Sequence, residues 1–368
     1  MPSSKKANII GIEWTFSQIW EESFRALDDR PLMRRDRIYA SELGGSFRDR
    51  YLQMFAHPPS NPFNFRSKGK MMAGKFFEDV AAIILTATGL LQDRQLVARV
   101  ELPNMLPVSG KKDFVAGGVI DWEKAEYEAA AIKKLFSLSK TETSQFVIHM
   151  VDKILPHFKH LFSFNPAMKY VMEFKSLSGF VFNLVKSNNK PRRGHDLQLL
   201  TYLLPKDSRD IERGFIQYIS REDVMLHDIF IERSPAILKE FKKDVATMTE
   251  YYNSAGKNYL KNIPPPDPEI IFEDASFSFR KNNLVEYSKY LTYTYGYKNI
   301  DHFKEKWDKT ISGWNATFKR CVKGDNMTAL NLTRMAEAKK HFPQWDKLVA
   351  KAKAAGAFEK PEEMEDDA

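Results

Sequence analysis

Residues 170–175 read Tyr-Val-Met-Glu-Phe-Lys, and this hexapeptide decides the fold. Apolar residues surround two charges, Glu173 and Lys175, at i and i+2. On a strand two such side chains share a face. Burying that face is costly unless the charges pair or hold a metal. Glu-x-Lys recurs at Glu240/Lys242 and Glu337/Lys339, both in stretches of helical spacing. There i and i+2 diverge, so those pairs read as solvated helix charges.

Outward from this strand the hydrophobic period alternates between two and 3.6. Strand patterns are expected at Gln95–Leu102, Asp113–Ile120, Phe180–Val185, Gly214–Ser220 and His227–Glu232. Helical spacing is expected over 14–30, 70–88, Asp196–Leu204 and 234–262, and in two or three pieces over 122–165. Ser41 reads as an N-cap that opens a further helix, and 56–68 as a Pro-containing loop. The fold class is therefore α/β: a mixed central sheet flanked by helices, with a helical insertion at about 122–168. The expected organisation is one domain over 1–262, a Pro-rich linker over 263–283, a helical region over 284–358, and an acidic, disordered tail over 359–368.

The chain has 368 residues, 43% of them hydrophobic and 28% charged, as in a globular protein. A net charge of +8 and a pI near 9.2 favour a polyanionic partner, nucleic acid first. The single cysteine, Cys321, excludes an internal disulfide and any cysteine-built zinc or iron–sulfur site. A reducing cytosol suits it. No apolar run is long enough to span a bilayer, and the N-terminus lacks a secretory core, so an intracellular protein without a membrane partner is expected.

Carboxylates beside an ammonium suit Mg²⁺- or Mn²⁺-assisted phosphodiester hydrolysis. Oxygen ligands hold the hard cation, and a lysine can orient water or stabilise developing charge. A second carboxylate is supplied by Ser109-Gly110-Lys111-Lys112-Asp113, where a Gly turn leads an aspartate onto a strand start. Asp121, eight residues on, is a rival; on a straight strand the two would be about 26 Å apart, so only one can join the site. Two further elements are Gly74-Lys75-Phe76-Phe77-Glu78 and Gln198-Leu199-Leu200-Thr201-Tyr202. Gln198 and Tyr202, at i and i+4, share a helical face.

In this order the motifs resemble the RecB-like and Cas4-like exonuclease branch of the PD-(D/E)xK nucleases. The matching positions are Ser41 with Arg48 and Arg50, Gly74 with Glu78, Gly110 with Asp113, Glu173 with Lys175, and Gln198 with Tyr202. The resemblance covers roughly residues 38–232. It implies a restriction-endonuclease-like core and a divalent metal held by Asp113, Glu173 and the Phe174 carbonyl, with Glu78 where many members carry a histidine. It implies that Lys175 positions the attacking water and that Gln198 and Tyr202 hold DNA or support the site. The iron–sulfur cysteines of some members are missing, so that cluster is excluded. About 60 residues separate Asp113 from Glu173, so the helical insertion must loop out.

The basic stretch Lys186–His195 (KSNNKPRRGH) precedes the Gln198 helix. Its Lys190, Arg192 and Arg193, with Arg48 and Arg50, are the candidate DNA contacts. Residues 284–320 interleave Tyr and Trp with Lys and Arg, either as core aromatics or as a stacking surface for single strands or a protein partner. Two functions follow: a metal-dependent deoxyribonuclease of recombination, repair or phage replication, in a bacterial or phage-infected cytoplasm, or a non-catalytic DNA-binding or scaffold protein on the same fold.

Overall fold

The computed structural model describes Ser23 and residues 32–61, 65–161, 168–192, 194–205, 211 and 213–359. The expected helix over 14–30 (Ser23 apart), Arg193, and the acidic tail beyond Glu359 lie outside the described residues. Two compact units divide the chain: Met1–His57 with Phe63–Pro264, and Pro58–Pro62 with Pro265–Ala368.

The first unit runs β1 (Ile38–Tyr39), α1 (Phe47–Met54), α2 (Phe65–Ala87), β2 (Leu91–Arg94), β3 (Val97–Val100), β4 (Val108–Lys111) and β5 (Phe114–Gly117). It continues with α3 (Trp122–Ser137), α4 (Glu142–Leu161), β6 (Lys169–Leu177), α5 (Gly179–Asn188), α6 (His195–Leu203), β7 (Arg213–Ser220), β8 (Leu226–Glu232) and α7 (Pro235–Ser254). The main sheet has the order β2-β5-β6-β7-β8. Among the described residues of this sheet only the β6–β7 pair is parallel, and α5 and α6 make the crossover that a parallel pair requires. A smaller sheet, β1-β4-β3, lies under α6. This is the expected mixed α/β core.

β6 is central, and Val171, Met172, Glu173 and Phe174 are all buried. Both of its faces are covered, as its near-continuous apolar reading implies. Met172 and Phe174 pack with Phe114, Ala82 and Phe77 beneath α2. Val171 packs on the other face with Leu199 and Leu200 of α6. Period two therefore sends Glu173 and Lys175 to the α6 side. The α3–α4 hairpin is the expected insertion. It packs on α2 through Ala87, Ala129, Val147 and Val151, leaving β5 and β6 paired across the excursion.

Several expectations need correction. Phe180–Val185 is not a strand but part of α5, where Phe182 and Val185 are buried at i and i+3 and Asn189 closes the helix with φ 46°. Ser41 lies in a short 3-10 turn, and the N-cap of α1 is Ser46, whose hydroxyl accepts from the Asp49 N–H. The strand expected over Asp113–Ile120 stops at Gly117, because Gly117 and Gly118 turn to φ +90° and +79°. The helix expected over 234–262 ends at Ser254.

The second unit also departs from a bare linker. Residues 263–283 contain a hairpin, β9 (Ile270–Glu273) and β10 (Ser278–Lys281), followed by α8 (Asn283–Glu286), α9 (Leu291–Tyr295), α10 (Ile300–Lys323), α11 (Ala329–His341) and α12 (Trp345–Ala354). The hairpin supplies Phe279, which is fully buried and stacks on Trp345 with centroids 5.2 Å apart. Tyr290, Tyr297, Trp307 and Trp314 are buried, so most of the C-terminal aromatics form a core, while Tyr287 and Tyr293 stay exposed.

Candidate active site

The site assembles between β6, the start of β5 and one face of α6. Glu173 is 1% exposed. Its Oε1 accepts from Gln198 Nε2 at 2.7 Å and pairs with the Lys175 ammonium. Gln198 Nε2 also donates to the Tyr202 hydroxyl at 2.9 Å. Asp113 lies one residue before the Phe114–Met172 pair, level with Glu173, and its Oδ2 accepts from the Phe174 N–H at 2.9 Å. Asp113, Glu173, Lys175, Gln198 and Tyr202 are thus brought together. Asp121 is not among them: it caps α3, accepting from the Lys124 N–H.

Two glycines of the motifs have steric reasons. A Cβ on Gly110 would lie 2.8 Å from Ala40 Cβ and 2.9 Å from Tyr202 Cε1. A Cβ on Gly74 would lie 3.0 Å from Ser176 Oγ, so the glycine lets α2 approach β6. Gly110→Ala is expected to push Tyr202 aside. It should cost about 1–3 kcal/mol by overpacking, read by urea denaturation, together with weaker activity. Unchanged stability would show that the Tyr202 ring has room to shift.

The electrostatics are those of crowded acids. Burial pushes the Asp113 carboxyl up to about 7, Glu173's charge adds to this, and Lys175 and the Phe174 N–H oppose it. Glu173 is also raised by burial, against the pull of Lys175. Burial would lower Lys175, but the charges of Glu173 and Asp113 outweigh it and hold its ammonium above the usual range. Burial and the Asp113 charge raise Glu78, while Arg94 opposes them. Among the described residues, Glu173 Oε2 has no hydrogen-bond donor. An orphaned buried carboxylate oxygen beside a second carboxylate is the donor set a hard cation prefers.

Asp113 carries a pH signature. Its folded value lies above the ordinary unfolded one near 3.8, so the folded chain holds the extra proton between about pH 4 and 7. Metal-free stability should therefore fall as pH rises through that window, by a few kcal/mol on the linkage relation. Asp113→Asn should flatten the slope in urea titrations from pH 4 to 8. An equal slope in the variant would remove Asp113 as its source.

Glu78 sits in the same cleft but is engaged: it accepts from Gln95 Nε2 at 2.9 Å and lies 3.7 Å from Arg94. Among the described residues, no group of three His, Cys, Asp or Glu side chains is set to hold a metal ion. The two carboxylates Asp113 and Glu173 fit a cation, whereas Glu78 would have to leave Gln95 to join them.

The adjoining cleft has a volume of about 510 Å³ and is lined by Glu78, Asp113, Gln198 and Tyr202. Three exposed cations, Arg37, Arg99 and Lys111, also line it. Arg99 was not among the candidate DNA contacts, although the alternation of Gln95–Leu102 places it on the outer face of β3. Of the candidates, Lys190 and Arg192 are exposed, and Arg192 donates its backbone N–H to Tyr218. Arg48 is partly buried and donates to the Pro264 carbonyl. Arg50 cannot meet DNA: it is 2% exposed and pairs with Asp244 through both terminal nitrogens.

No protein-family model matches this chain, and no curated protein matches it. Two solved structures are similar over nearly their whole length. The crystal structure of SSO0001 has 10% identity and a TM-score of 0.34, covering 68% of this chain and 96% of that one. The alkaline exonuclease (LHK-Exo) from Laribacter hongkongensis has 12% identity and a TM-score of 0.37, covering 65% and 96%. At these values neither assigns an activity. No helix among the described residues is long and apolar enough to cross a membrane.

Proposed function

We propose that the chain is a divalent-metal-dependent deoxyribonuclease of the RecB-like exonuclease branch, serving recombination, repair or phage replication. The observation that carries this reading is the convergence of Asp113, Glu173 and Lys175, with Glu173 Oε2 left without a donor among the described residues. Asp113 and Glu173 would hold Mg²⁺ or Mn²⁺, assisted by the Phe174 carbonyl. When bound, the cation supplies Lewis-acid polarisation of a phosphate and lowers the pKa of water.

The chain's own residues do the rest. Lys175 holds a proton throughout neutral pH and offers N–H donors to the attacking water or the developing phosphate charge. Gln198 fixes the Glu173 carboxylate and is itself oriented by Tyr202. Arg37, Arg99 and Lys111 attract the polyanion to the cleft.

The second reading, a non-catalytic DNA-binding or scaffold protein, is favoured by the absence of a three-carboxylate group among the described residues. Calorimetric titration with Mn²⁺ separates the two. The nuclease reading expects a site in the native chain that Asp113→Asn with Glu173→Gln abolishes. A titration without specific heat leaves the non-catalytic reading.

A further inference from the structure

His195 has no role in the site so far, yet the fold aims it there. His195, Gln198 and Tyr202 stand at i, i+3 and i+7 on α6, one face of the helix. Gln198 meets Glu173. His195 meets Tyr218, the register partner of Lys175 on the parallel neighbour β7. The imidazole and phenol rings stack at 29° with centroids 5.8 Å apart. His195 therefore extends the row of polar side chains toward the lysine end of the site.

Hydrogen bonding occupies Nδ1 of the imidazole. Tyr218 Oη accepts the Arg192 N–H at 3.2 Å and lies 2.9 Å from His195 Nδ1. While its oxygen accepts from Arg192, the phenol can give its one hydrogen to Nδ1. In a neutral imidazole the proton is then on Nε2. Burial, with the charges of Lys175 and Arg192, pushes His195 down to about 3, so the ring is neutral at physiological pH. Among the described residues, Nε2 has no hydrogen-bond partner. In that arrangement Nε2–H is a donor rather than a bare metal ligand. The charges of Lys175 and Arg192 act on the ring, which stands at the N-terminal end of α6. That environment suits an anion.

Resting on the nuclease reading above, we propose that His195 is a substrate-binding residue, offering neutral Nε2–H to a backbone phosphate of the bound strand beside Lys175, with Tyr218 as the positioning residue that sets its tautomer. A hydrogen bond to a charged group is worth about 1.5–3 kcal/mol, so its loss should weaken binding by about 10–100-fold.

The test uses the full-length chain. Imidazole ¹⁵N spectra of the metal-free native protein, with His195 assigned by its absence in His195→Gln, should show Nε2 protonated and Nδ1 not. Adding an oligothymidylate should shift Nε2. In cleavage assays His195→Ala should raise KM by about 10–100-fold with little change in kcat, and His195→Gln, which keeps an N–H near the same place, should restore most of it. Tyr218→Phe should release the tautomer, seen as protonation moving partly to Nδ1. Protonated Nδ1 in the native chain overturns the proposal, as does an Nε2 signal that does not move with the oligonucleotide. Absence of cleavage with Mg²⁺ or Mn²⁺ would instead overturn the nuclease reading, because the spectra report on His195 without turnover.

Discussion

Glu173→Gln is expected to reduce DNA cleavage by about 10²–10³-fold, a loss of the size seen when a charge-stabilising group leaves an active site. Glutamine keeps the volume and can still bond Gln198. It removes the negative charge that pairs with Lys175 and the free acceptor Oε2. Cation affinity and the alignment of the ammonium are both lost. Lys175→Met should act as severely by another route, since it strips the partner from a carboxylate that is 1% exposed. Glu173 then keeps its proton at neutral pH rather than remain as an unpaired buried charge. Single-turnover rates, with circular dichroism to check folding, measure both. A folded Glu173→Gln chain that cuts within tenfold of the native rate would rule Glu173 out of the chemistry.

Asp244→Ala should destabilise the chain by about 3–5 kcal/mol, the cost of leaving a buried charge without its partner. Asp244 Oδ1 accepts from Arg50 Nη1 at 2.6 Å and Oδ2 from Nη2 at 3.0 Å. Oδ2 also accepts the Gly44 N–H, and Arg50 Nη2 donates to the Gly45 carbonyl. The guanidinium lies 4.5 Å over the Phe47 ring. Without Asp244 the arginine, 2% exposed, keeps one carbonyl and a ring for partners. Replacing both, as Arg50→Met with Asp244→Leu, should recover most of the loss, because the apolar pair leaves no charge to compensate. Urea denaturation measures each variant. A single-variant loss under about 1 kcal/mol would show that water reaches the arginine.

The strand at 170–175 was legible because two charges interrupt an otherwise apolar run, a pattern that on a central strand has few uses. Asp113 was legible from the glycine before it, although Gly110 makes no turn: it lies within β4 paired with Ala98, and the geometry separates Asp113 from Asp121, whose carboxylate caps α3. Other features were hidden for physical reasons. Phe180–Val185 is a short apolar run, and period alone does not divide strand from helix at that length. Arg50 read as a DNA contact because its partner lies 194 residues away. Gln95, which holds Glu78, comes from another element and carries no motif. The β9–β10 hairpin was masked by the prolines before it, although Phe272 and Phe279 were the signal of a packed face. His195 ends the basic stretch and drew no role from its cationic neighbours. Its spacing from Gln198 and Tyr202 was the clue.

The central question is whether this cleft cuts DNA. Purified full-length chain, incubated with end-labelled DNA and Mg²⁺ or Mn²⁺, should release labelled nucleotides progressively, stop on chelation, and lose the activity in the combined Glu173→Ala, Lys175→Ala variant. Labelled DNA left intact by the native chain, or cut as fast by that variant, would contradict it.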